Sequence, residues 1–166
     1  MRILMKYPIL ILSMCAMPAL AEVNIVGNVS AKCVIQTDTS GVYGNPTADK
    51  LSTLAADGGI EPIIRYDVAI ADYYEAKITH PNSFSSSPTL TDTVAWTGGT
   101  SVSQTSDAGM AAYDTAKVTY DNVTVFDLTV AGSTWFSTAS TASYGVSKPF
   151  TGGTYTAIVQ AECIAK

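Results

Sequence analysis

The chemistry open to this 166-residue chain is narrow, because its reactive side chains amount to three cysteines, one histidine and fourteen carboxylates. Cys33 and Cys163 are far apart and no CxxC occurs, so the spacing of a thiolate metal site is missing. A serine hydrolase needs a histidine base held by a third group, yet His80 is followed by Pro81 inside a polar loop and no GxSxG elbow accompanies it. His80 is read as a solvated loop residue. The carboxylates Asp67, Asp72, Glu75, Asp92, Asp114, Asp121 and Asp127 fall singly at strand edges or turns, without an EF-hand or a nonapeptide calcium repeat. The Gly-Gly pairs beginning at 58, 98 and 152 lie between expected strands and read as turn glycines, since none opens a helix as a phosphate loop does. The sequence therefore predicts no enzyme, no metal site and no cofactor.

The remaining chemistry of the thiols depends on where the chain goes. Arg2 and Lys6, an apolar run from Ile9 to Met17 and Ala19-Leu20-Ala21 before Glu22 have the pattern of a secretory signal over residues 1–21. Leu12-Ser13 precedes Cys15 as in a lipoprotein signal, but Met14 stands where a small residue belongs. Export to an oxidising compartment makes a disulfide between Cys33 and Cys163 the expected chemistry, closing a loop of 130 residues. Without the signal, 145 residues remain, enough for one domain, with seven basic residues against fourteen acidic ones. That balance excludes nucleic acid as a partner, since phosphate neutralisation needs clustered Lys and Arg. The sequons at Asn28 and Asn122 fall within or beside strands and read as chance matches.

Short apolar-alternating runs separated by turn residues position these groups, and little helical period is present. Ile64, Tyr66, Val68 and Ile70 share one strand face, followed by Tyr74, Ala76 and Ile78. Leu90, Val94 and Trp96 form a strand closed by Gly98-Gly99. Residues 106–115 are the best helical turn, and Ala116 to Tyr120 and Val123 to Val130 are strands again. The Ser/Thr/Ala-rich stretch from Ser133 to Ser147 reads as an irregular surface connection or an edge strand. A last strand runs from Gly153 to Ala165 with Tyr155, Ala157, Val159, Ala161 and Cys163 on one face. These features predict an all-β antiparallel sandwich, with both cysteines turned into one core. Trp96, Trp135 and Phe136 are better read as core or interface packing than as a carbohydrate platform.

One run has no obvious place in that sandwich. From Val23 to Ile35 every second residue (Val23, Ile25, Gly27, Val29, Ala31, Cys33, Ile35) is apolar or glycine, and it begins just after the signal. It is either an ordinary edge strand of its own domain or a strand offered to another molecule's sheet. Gly27 in its middle marks a place where another backbone approaches closely.

Glu22-Val-Asn-Ile25, Ser30 and Val34-Ile35 resemble the start of chaperone-usher pilins, most closely the major pilins of class 5 (alpha, colonisation factor antigen type) fimbriae. Cys33 stands where those pilins carry a proline. Gly153-Thr-Tyr155-Thr-Ala-Ile-Val159 is similar to the last strand of pilins in general. The resemblance implies an incomplete immunoglobulin-like sandwich over residues 32–166, completed by donor-strand complementation. Residues 22–31 would be the donor strand, with Val23, Ile25, Gly27, Val29 and Ala31 entering the groove of the next copy. It further implies the shaft subunit of a surface fimbrium used in adhesion, exported through the periplasm. Its partners would be copies of itself, a periplasmic chaperone, an outer-membrane usher and a tip adhesin. The alternative is a monomeric secreted binding module, or a minor adhesin subunit, recognising a host glycan or protein.

Overall fold

The computed structural model of the protein describes residues 32–166. The signal, and all five donor positions from Val23 to Ala31, lie outside the described residues. Ten strands appear in chain order: β1 Cys33–Thr39, β2 Gly44–Thr47, β3 Lys50–Ser52, β4 Ile63–Val68, β5 Tyr74–Thr79, β6 Val94–Thr105, β7 Val118–Tyr120, β8 Val123–Leu128, β9 Gly132–Tyr144 and β10 Gln160–Ala165. The helical content of the described residues is two 3-10 turns, Ala55–Asp57 and Ala108–Met110, and one α turn, α1, Tyr113–Ala116; the last two fall in or at the end of the stretch the sequence marked.

All pairings are antiparallel. In the larger sheet β9 is the spine, with β6 along one side and β4 and β3 sharing the other. Outside β4 lies β1, and outside β3 lies β2. The smaller sheet runs β10-β5-β8-β7. The two sheets bury one core: Ile64, Tyr66 and Val68 of β4 and Phe136 of β9 meet Ala76, Ile78, Phe126 and Leu128 from β5 and β8. The rings of Phe126 and Phe136 stand 4.4 Å apart at its centre, and the Tyr66 hydroxyl crosses the layers to donate to the Glu162 carbonyl at 3.1 Å. The all-β sandwich expected from the alternation is the fold of the described residues.

Three expectations change. The stretch from Ser133 to Ser147 is no surface connection, because β9 occupies most of it as the central strand, buried at every second residue from Thr134 to Tyr144. Its low hydropathy is misleading because its inward hydroxyls are satisfied: Thr138 bonds Thr100 at 3.1 Å, and Ser140 bonds Tyr43 at 2.9 Å. Gly98-Gly99 does not close a strand either, since both lie inside β6, opposite Ser140 and Ala139. A β-carbon at Gly98 would stand 2.5 Å from the Ala139 carbonyl oxygen and 2.8 Å from the His80 ring, so glycine permits a close approach there instead of a turn. The last strand is paired with β5 only from Gln160 onward. Residues 153–159 keep the alternation, with Tyr155, Ala157 and Val159 turned inward, but make a single bridge, Thr156 to Ser86.

Candidate functional site

The expected disulfide joins Cys33 at the start of β1 to Cys163 near the end of β10, with their Cα atoms 6.4 Å apart. It ties an edge strand of the larger sheet to an edge strand of the smaller one. Across this seam β1 pairs only with β4, and β10 only with β5. Beyond the bridge the seam opens into a groove of about 660 Å³. One wall runs from Thr37 to Tyr43 and the other from Gly153 to Val159, while Leu51, Ile64, Thr53 and Ser140 form the floor.

The floor offers no free polar side chain. Thr53 Oγ1 accepts from the Ser140 N–H at 2.8 Å, and the Tyr43 hydroxyl meets Ser140 Oγ at 2.9 Å. Burial raises the Tyr43 hydroxyl above its ordinary pKa, against the smaller opposing effect of that Ser140 bond, so it stays protonated. Among the described residues no charged one lines the groove. The walls are edge backbones and carry the hydroxyls of Thr37, Thr39, Ser40 and Thr156, so the groove presents neutral hydrogen-bonding groups of the kind an added backbone can meet.

The inward face of β1 is uncovered. Ile35 lies opposite the fully buried Tyr66, and Thr37 opposite the buried Ile64, so both point to the core side. Ile35 nonetheless remains 36 % exposed. A large aliphatic residue on the core side of a strand, left in solvent, marks a missing layer of side chains.

The seam on the far side is guarded. The N–H of Val102, on the outer edge of β6, donates to both Asp114 oxygens at 3.0 and 3.1 Å, and Lys117 Nζ donates to the Thr100 carbonyl at 2.8 Å. Lys117 and Asp114 are themselves paired at 3.2 Å. Charged side chains bonded to an edge backbone block strand addition. Among the described residues one seam is covered and the other is bare.

Several of the remaining candidates for chemistry are occupied. Asp72 and Asp127 bind Lys166, Asp92 binds Lys148 and Asp67 accepts from Ser133 and Arg65. Among the described residues no group of three or more His, Cys, Asp and Glu could hold a metal ion. Phe136 is core, Trp96 meets Phe84 edge-on at 4.7 Å, and the Arg65 guanidinium sits 5.7 Å over Trp135, as packing roles require. The Asn122 amide donates to the His80 carbonyl at 2.8 Å.

His80 is not the solvated residue the loop predicted. It is 7 % exposed, packed against Gly98, and its Nδ1 has no partner. Pro81, the bond from the His80 N–H to the Asn122 carbonyl and the bond from the Asn122 side-chain amide to the His80 carbonyl hold it against the sandwich, an arrangement that local polarity does not reveal. Burial lowers its pKa from the ordinary 6.5 by penalising the charged ring. The unfolded chain therefore binds a proton that the folded one refuses, so stability is expected to fall as pH drops below 6.5 and to level off below the depressed value. Urea melts between pH 7 and 5 check this, and His80→Gln should flatten the slope.

Comparison of the chain with protein-family models, with curated proteins and with solved structures returned no match.

Proposed function

We propose that this chain is the structural shaft subunit of a chaperone-usher fimbria, polymerising by donor-strand exchange to form an adhesive surface filament. The sandwich of each copy is then an incomplete immunoglobulin-like domain. Residues 22–31 of the next copy fill it, with Val23, Ile25, Gly27, Val29 and Ala31 turned toward the core. The observation that carries this reading is the bare seam between β1 and residues 153–165, with its uncharged lining and the uncovered Ile35.

Length and chemistry fit. Each groove wall spans seven residues, about 23 Å of extended chain, and the donor segment from Val23 to Ala31 spans about 30 Å. Burial of Ile25 and Val29 contributes about 1.5–3 kcal/mol each, and each ladder hydrogen bond about 0.5–1.5 kcal/mol. A groove this apolar needs a filler before assembly, which is the task of a periplasmic chaperone, with an outer-membrane usher exchanging it for the next subunit.

On this reading the segment serves the groove of another copy and not its own. The Lys32 carbonyl accepts from the Ala69 N–H at 3.0 Å, so the chain is already in line with β1 when it reaches the bridge. Reversal there needs a tight turn, and Ser30-Ala31-Lys32 contains no glycine, proline or asparagine.

Mature protein should give a ladder of oligomers in denaturing gels when left unboiled, and the same chain without residues 22–31 should give monomer only. A ladder from the truncated chain overturns the reading.

A further inference from the structure

The inference concerns the two ends of the groove, where Val42 both closes the wall and adjoins the exposed Ile60, and rests on the donor-strand reading. A strand inserted between two others needs about 9.5 Å between its neighbours, twice the inter-strand spacing. The Cα atoms of Cys33 and Cys163 are 6.4 Å apart, so no strand passes between them. The groove extends beyond the bridge as far as Val42 and Tyr43, the end away from the disulfide and open in that sense. A donor strand that continues into its own domain must leave through that open end, with its amino end toward the bridge.

The connection is then extremely short. Ala31 is the last apolar donor position and Cys33 the first residue of β1, with Lys32 alone between them. Two residue steps span about 7 Å at most. The bridge end of the donating molecule is therefore pulled against the open end of the accepting one.

Exposed apolar side chains wait at both ends. At the open end Val42 and Ile60 are about half exposed, and their backbones are locked together by reciprocal bonds of 2.9 and 2.8 Å. At the bridge end Tyr73 is 42 % exposed, in the β4–β5 connection whose Ala69 holds Lys32. Ile60 precedes β4 and Tyr73 follows it, so the two patches lie at opposite ends of that strand.

We propose that the Val42–Ile60 ridge at the open end is the docking face for the Tyr73 end of a second copy of this chain. The contact fixes successive subunits end to end and adds to the hold of the inserted strand.

The test introduces Ile60→Cys and Tyr73→Cys together into the full mature chain, with the native disulfide kept, and treats assembled protein with a short bis-maleimide. Within one molecule β4 separates the two positions by about 20 Å, out of reach of the reagent. The expected result is a ladder that survives boiling. An unboiled ladder that collapses to monomer on boiling overturns the end-to-end contact and leaves the donor strand standing. Absence of any ladder from the parent chain overturns the donor-strand reading and this inference with it. Should the cysteine pair itself block assembly, Ile60→Asp and Ile60→Val decide, because Ile60 does not line the groove. The aspartate variant should form a ladder that dissociates at lower temperature while the valine variant matches the parent, and equal behaviour of all three overturns the contact.

Discussion

Replacing Ile25 or Val29 with aspartate is expected to abolish polymerisation while leaving the domain folded. Each substitution removes about 1.5–3 kcal/mol of burial from the proposed strand insertion. It also drives a carboxylate into a groove whose lining holds no cation to receive it, a desolvation cost of further kcal/mol. A loss of only 3 kcal/mol already weakens assembly by about two orders of magnitude. The fold should survive because Tyr66, Ile78, Phe126 and Phe136, fully buried and away from the groove lining, already pack on one another among residues 32–166. Unboiled gels report assembly, and a thermal melt of the same sample reports the fold. A melt that collapses with the ladder would assign the strand to its own sandwich.

The second large effect concerns the bridge. Reducing Cys33–Cys163, or replacing both residues by alanine, frees a loop of 130 residues in the unfolded chain. Loop entropy puts the loss at about 5 kcal/mol as an upper bound, and removed native bridges commonly cost 2–4 kcal/mol. For a domain of this size about 3 kcal/mol corresponds to a melting temperature lower by roughly 10 °C. The bridge is also the only covalent tie between the two sheets across the bare seam among the described residues. Reduction should therefore loosen the groove and slow strand uptake as well as destabilise the domain. Melts with and without reductant, paired with assembly rates, test both parts, and an unchanged melt contradicts the first.

Much of the sandwich was legible because its strands obey simple alternation. Ile64-Arg65-Tyr66-Asp67-Val68 puts three buried residues on one side of β4 and an ion pair on the other, as its sequence states. The phase of Cys33 and Cys163 likewise placed both thiols on the inner face. What stayed hidden was the centre of the larger sheet. In β9 the buried positions are Thr134, Phe136, Thr138, Ser140, Ala142 and Tyr144, and a run of hydroxyls reads as surface until their partners on β6 and on residues 43–53 are known. β6 was cut short for a similar reason, since Gly98 owes its place to the approach of His80 and Ala139 rather than to a turn.

The groove itself could not be read from any one segment, because it is the gap between two edges 120 residues apart. Its signal was nonetheless present at both edges: the alternation places Ile35 on the core side of β1, and it runs through Tyr155, Ala157 and Val159 ahead of the residues that β10 pairs. The donor positions Val23, Ile25, Gly27, Val29 and Ala31 remain an inference from sequence and from the shape of the cavity that would receive them.

The guarded edge of β6 has a consequence for the product. With Asp114 and Lys117 bonded to the backbone there, β7 only three residues long and β2 only four with Pro46 among them, the donor-strand reading leaves one groove among the described residues to accept a strand and one segment to give it. In the terms of polymer chemistry each unit is then bifunctional. Units of that kind lengthen into an unbranched thread and do not crosslink into a network, however concentrated they become.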